Sequence, residues 1–172
     1  MIQSVINIFR QQAREHKLIK SFCYNRNYEL GNGNENHPLF WLEDPILGRN
    51  QSNLFVNSVN FSILFVPSDE DDILSLQNLA FSTGLNILER IKLENTNVGI
   101  LPTWTFLTLR DYYDNNACGC RFSVDFTQLN MQNLCLIGEQ FDENKQFETE
   151  AILDNFEVFI DKLPVFDIKI SK

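Results

Sequence analysis

Apolar residues at three- and four-residue spacing open the chain. Ile2, Val5, Ile6, Phe9 and Ala13 fall on one side, and Gln, Arg and Glu on the other. That spacing predicts an amphipathic helix over residues 2 to about 17. Ser21 to Tyr24 reads as a short strand, and residues 25 to 36, NRNYELGNGNEN, as loop. Pro38-Leu39-Phe40-Trp41-Leu42 is a compact aromatic strand closed by Glu43-Asp44-Pro45. Leu54 to Val66 is the longest strand: Val59, Phe61, Ile63 and Phe65 alternate with Asn60, Ser62 and Leu64 until Pro67 stops it. Ser68 is then the expected helix cap, with Asp69 to Asp72 placing negative charge at the positive end. Ile73, Leu76, Leu79, Ala80, Ile87, Leu88 and Ile91 carry that helix to about Leu93, and Gly84 marks where it would bend or split.

Thr103 to Leu109 reads as a strand, with Trp104 and Phe106 alternating against Thr105 and Leu107. The most motif-like passage follows, RDYYDNNACGCRFSVDFTQ from Arg110 to Gln128. After an acidic, Asn-rich turn, Cys120, Phe122, Val124 and Phe126 face one way, and Arg121, Ser123, Asp125 and Thr127 the other. Residues 138 to 150 read as an exposed acidic loop, and Phe156 to Ile160 and Val165 to Ile170 as strands separated by Pro164. Strands in consecutive runs predict an α+β domain, with a mainly antiparallel sheet, two helices on one face and an extended C-terminal arm. The expected division is a core over residues 1–135 and an extension over 136–172, packing on the core or on a neighbouring subunit.

Length and charge narrow the functions. A chain of 172 residues with 44% hydrophobic residues and 15 Phe has ample material for one core. The net charge is −9, and no basic cluster interrupts the balance along the sequence. That disfavours tight nucleic-acid binding, which draws on Lys and Arg to displace counterions. The longest clean apolar run, Ile63 to Val66, is far too short to span a bilayer. Arg10 and Arg14 interrupt any leader-like apolar stretch, so a reducing cytoplasm and free thiols at Cys23, Cys118, Cys120 and Cys135 are expected.

Each candidate chemistry has a simpler rival. Cys118 and Cys120 lie two apart without a second pair, so zinc is not expected, and Cys120 reads as a small buried hydrophobe beside Phe122 and Val124. His16 and His37 are the only histidines that could serve a thiol nucleophile, and nothing in their spacing links them to it. Asp111, Asp114 and Asp125 could converge for acid/base or metal work, although exposed acids at a turn are the default. Asp167-Ile168-Lys169 matches the short D-x-K element of nucleases, a tripeptide common by chance. Gly31-Asn32-Gly33 lacks the third glycine of a dinucleotide loop and precedes no clear helix. No catalytic set, cofactor site or metal site is therefore expected.

Aromatic residues point elsewhere. Phe40, Trp41, Tyr112, Tyr113, Phe141, Phe147, Phe156, Phe159 and Phe166 exceed what one small core holds comfortably. Phe141, Phe147, Phe156, Phe159 and Phe166 are the candidate subunit or partner contacts, because apolar anchors there alternate with acidic spacers. On charge alone, an acidic adaptor or inhibitor occupying a basic site on a host factor is the alternative.

The order of elements carries a family resemblance: the P-L-F-W-L strand after a polar loop, VNFSILFVP running into the acid-capped SDEDDIL helix, then GCRFSVDF after an acidic turn. It resembles the tail-completion or tail-terminator-like neck proteins of tailed bacteriophages, most of all those of Bacteroidales-infecting and crAss-like phages. The resemblance covers about residues 1 to 135; the segment after Cys135 departs from that core. It implies a structural virion protein, not an enzyme, assembled in the host cytoplasm. Copies would form a ring joining portal to tail, contacting adjacent portal, neck or tail-tube proteins. Double-stranded DNA would pass transiently through the lumen, and no membrane would be involved. An acidic bore would repel the phosphate backbone and lower friction against it. Asp111 and Asp114 would then form an acidic turn at the lumen or sheet edge.

Overall fold

In a computed structural model of the protein, residues 2–31, 35–94, 98–113 and 116–129 are described, together with 139, 141, 153–154 and 157–158. The chain divides into two compact units, Met1–Met131 and Gln132–Lys172.

The first unit opens with α1 (Ile2–Glu15), which buries Val5, Ile6, Phe9 and Ala13, most of the stripe that its spacing predicts. β1 (Ser21–Asn25), a 3-10 turn (Asn27–Glu29), β2 (Leu39–Glu43), β3 (Leu47–Gln51) and β4 (Leu54–Phe65) follow. Then come α2 (Ile73–Glu94), β5 (Val98–Ile100), β6 (Thr105–Tyr112) and β7 (Ala117–Leu129). One seven-stranded sheet runs β1-β2-β4-β7-β5, with β3 also on β4 and β6 also on β7. All pairs are antiparallel except β1–β2. The fold is therefore α+β, as the run of strands predicts.

β3 and β5 were not expected, and proline explains both. β2 and β3 pair with successive stretches of the same β4 edge, and β5 and β6 with successive stretches of β7. Pro45 and Pro102 stand in the two breaks. Proline has no N–H to give a ladder, so it interrupts a strand without ending the row. Beside Pro102 the ladder persists, since the Leu101 N–H donates to the Asp125 carbonyl at 2.9 Å. β3 then turns into β4 through Ser52 and Asn53, with Ser52 at φ 57° as a tight hairpin needs.

β4 and β7 pair along their length, from Leu54–Leu129 to Phe65–Cys118. Both helices lie on one face of this pair. Phe9 meets Phe40, Phe61 and Phe126 at centroid distances of 5.7, 5.2 and 5.2 Å. Cys120, Phe122, Val124 and Phe126 are all buried there, as their alternation predicts. α2 runs unbroken through Gly84. A Cβ at that position would lie 2.2 Å from Phe122 Cε2, so the glycine lets the helix seat on the ring and does not bend it. At Gly119 a Cβ would meet the Ile63 carbonyl oxygen at 1.9 Å, so only glycine permits that approach of β7 to β4.

The α2 cap is also corrected. Asp72 caps the helix: its carboxylate accepts from the Leu74 N–H (3.3 Å), the Ser75 N–H (3.1 Å) and the Ser75 hydroxyl (2.7 Å). Ser68 instead belongs to a preceding turn, with its N–H and hydroxyl on Asp71 at 2.7 and 2.8 Å. On the opposite face of the sheet a smaller cluster packs Leu30, Leu39, Trp41, Leu64, Leu109 and Ala117. In the second unit, β8 (Leu153–Asp154) pairs antiparallel with β9 (Glu157–Val158). The strand expected over 165–170 lies outside the described residues.

Candidate functional site

Asp111 and Asp125 do not converge. Asp111 sits on the β6–β7 hairpin at φ 50°, with an exposed side chain 3.7 Å from the Arg110 guanidinium. Asp125 lies well along β7, where its carboxylate accepts from Ser58 Oγ at 2.6 Å and pairs with Arg49 at 2.9 Å. Asp114 lies outside the described residues. The hairpin needs left-handed backbone at Asp111, Tyr113 and Asn116 and a register shift between Leu109 and Tyr112. It is a bulged turn.

Cys118 and Cys120 lie in the core on the helix-covered face of the sheet, and His37 lies beside the cluster on the other. Cys118 and Cys120 are buried; burial raises both thiols, that of Cys120 to about 11, which leaves little thiolate at neutral pH. His37 shares a 2.6 Å hydrogen bond with the Tyr113 hydroxyl, beside the cluster on the other face of the sheet. His16 Nδ1 accepts from the Leu18 N–H at 3.2 Å. Burial holds both histidines below the usual imidazole value. Among the described residues no three His, Cys, Asp or Glu side chains could hold a metal. Nor is any described helix long and apolar enough to cross a membrane.

Two of the surplus aromatics, Phe40 and Trp41, are core residues, fully buried on opposite faces of β2. Phe141 is 75% exposed, while Phe147, Phe156, Phe159 and Phe166 lie outside the described residues. The exposed apolar surface missed in the sequence lies on β6. This strand pairs with β7 alone among the described residues, so its outer edge is free. Phe106 and Leu107, on opposite faces, are 53% and 57% exposed. Phe81 packs 4.7 Å from Phe106, and Leu74 of α2 is also exposed. Alternation implied one buried face here; Leu109 is buried in the cluster on the far face, while Phe106 and Leu107 stay more than half exposed.

A basic groove forms at the other edge of the sheet, although no basic cluster stands out in the sequence. Arg10 and Arg14 stack one helical turn apart on α1. The chain then reverses, and the Lys20 N–H donates to the Pro38 carbonyl at 2.9 Å, extending the β1–β2 ladder. Arg10, Arg14, Ile19, Lys20, Ser21 and Phe22 line a groove of about 330 Å³. Asn7 and Gln11 extend it along α1. The Arg10 guanidinium sits 5.7 Å from the Phe22 ring centroid. Glu15 is the only acid in residues 1–20, against Arg10, Arg14, Lys17 and Lys20, a local balance of +3 in a chain of −9. Glu15 pairs with Arg90 and also lines that extension, where the Arg14 charge acts on it. Arg10, Arg14 and Lys20 stand four and six residues apart along the chain, so only the helix and its reversal bring them together.

No protein-family description and no curated protein matches this chain.

Proposed function

We propose that the protein is a structural ring subunit of a phage neck or tail, joining portal to tail and letting DNA pass through its lumen. The observation that carries this reading is the free edge of β6. A strand with exposed apolar side chains on both faces, and with no second strand beside it among the described residues, invites another chain, and soluble monomers blunt such edges. Phe106 and Leu107 leave it unblunted. The β6 edge and the basic groove lie at opposite sides of the sheet, which supports head-to-tail contacts of the kind that close into rings. The net charge of −9 supports a conduit that repels the phosphate backbone. The test is co-assembly of the full chain with purified portal or tail-tube proteins, followed by sedimentation. A stoichiometric complex is expected. A chain that stays monomeric and also ignores both partners would overturn the reading.

A further inference from the structure

We infer that the acidic corner at the start of α2, with the β6 edge beside it, docks in the α1–β1 groove of a second copy of this chain. This rests on the ring reading and names the contact that would link one subunit to the next. The groove offers Arg10, Arg14 and Lys20, exposed and in no ion pair among the described residues, around the half-buried Ile19 and Phe22. The corner offers the complement. Residues 66–74, VPSDEDDIL, carry four carboxylates and no cation, and Val66, Leu74 and all four acids are exposed. Asp71 and Asp72 hold the turn and the helix start, while the Asp69 and Glu70 side chains have no partner among the described residues. Burial raises the Cys118 thiol and the charges of Asp71 and Asp111 raise it further, so the turn and the β6–β7 hairpin flank one end of β7. Gln77 Nε2 donates to the Leu109 carbonyl at 2.9 Å and Phe81 packs on Phe106, which lays the first half of α2 along β6. Guanidinium forks bind carboxylates, and the apolar floor between them suits a side chain such as Leu74.

A single copy cannot bring the two patches together. Ser21 shares a strand row with Leu39, Leu64, Gly119 and Leu109, and Phe22 shares one with Phe40, Ile63, Cys120 and Thr108. Groove and corner therefore stand at one level of the sheet, but at opposite edges, four strand spacings or about 19 Å apart. A contact between them is heterologous and needs no slide along the strands. β6 also runs opposite to β1, so copies in like orientation bring these two edges together antiparallel, the more stable pairing.

Charge reversal with complementation tests this in the full-length protein. One variant carries Arg10→Glu, Arg14→Glu and Lys20→Glu. The other carries Asp69→Lys, Glu70→Lys and Asp111→Asn, and spares Asp71 and Asp72. Each is expected to melt as wild type does and, in sedimentation velocity, to self-associate about tenfold or more weakly. Rising salt should weaken wild type likewise. An equimolar mixture should recover association, because each variant's groove then meets a corner of opposite sign. A milder variant, Arg10→Gln with Arg14→Gln, should weaken association in the same direction and flatten its salt dependence. Unchanged association of the milder or the reversed groove variant would overturn the inference. So would folded reversal variants that fail to recover on mixing, or a wild type that stays monomeric on its own. Double-stranded DNA bound by wild type and lost by the groove variant, with association unchanged, would give the groove to phosphates and overturn it too. Rings persisting in the groove variant would remove this contact and leave the ring reading intact. Complementing pairs that neither close into rings nor join portal or tail proteins would do the reverse.

Discussion

At the residue scale, two glycines and two histidines carry constraints that composition hides. Gly84→Ala drives a methyl into the Phe122 ring, and overpacking of this kind costs about 1–3 kcal/mol. Urea denaturation should show that cost, and show it shrinking in a Phe122→Leu background, because the shorter side chain vacates the space. An equal cost in both backgrounds would contradict the packing described. His16 and His37 set the stability near neutrality. Burial favours the neutral ring, and at His37 it outweighs the opposing charge of Glu35, so the folded values lie below the ordinary 6.5. As pH falls through 6.5 the unfolded chain binds protons before the native one does, so stability present above that value is lost below it. The denaturation midpoint should fall between roughly pH 7 and 5.5, a range above where carboxylates titrate, and the slope should flatten in a His16→Gln/His37→Gln variant. The alternation of Cys120, Phe122, Val124 and Phe126 was legible as a core face because a strand's period is local. Gly119 and Gly84 were not, because each answers to a partner on another element, Ile63 in one case and Phe122 in the other.

At the scale of elements, position in the sheet decides what the sequence pattern means. The same alternation that buries β7 leaves Phe106 and Leu107 exposed on β6, for β7 is central and β6 is an edge. Leu107→Lys should therefore leave the denaturation midpoint of the isolated chain unchanged while weakening self-association measured by sedimentation. A large loss of stability would mean that Leu107 serves the core. The α2 start separates two candidate caps that lie four residues apart. Asp72→Ala should lower the thermal midpoint more than Ser68→Ala, because Asp72 accepts from two backbone N–H groups of the first turn. The reverse order would return the cap to Ser68. Ser68 was the natural choice from sequence, since it follows Pro67 and precedes a run of acids, but the chain takes one more turn at Ser68–Asp71 before the helix begins. β3 was not legible for a related reason: Pro45 looks like a terminator where it is an interruption.

At the scale of the whole molecule, charge is unevenly spread. An acidic chain gathers a cationic groove at α1–β1 and leaves a free apolar edge at β6, on opposite sides of one sheet. The fold class followed from element order alone. The groove did not, because Arg10, Arg14 and Lys20 become neighbours only through a helical turn and a chain reversal. The most direct measurement is the mass and symmetry of the native particle, taken by light scattering and negative-stain class averages of the full chain, alone and mixed with a purified portal protein. Closed rings of one stoichiometry, with an open centre wide enough for double-stranded DNA, are the predicted result. Single copies in both conditions, or a closed two-fold dimer with no central opening, would contradict the account.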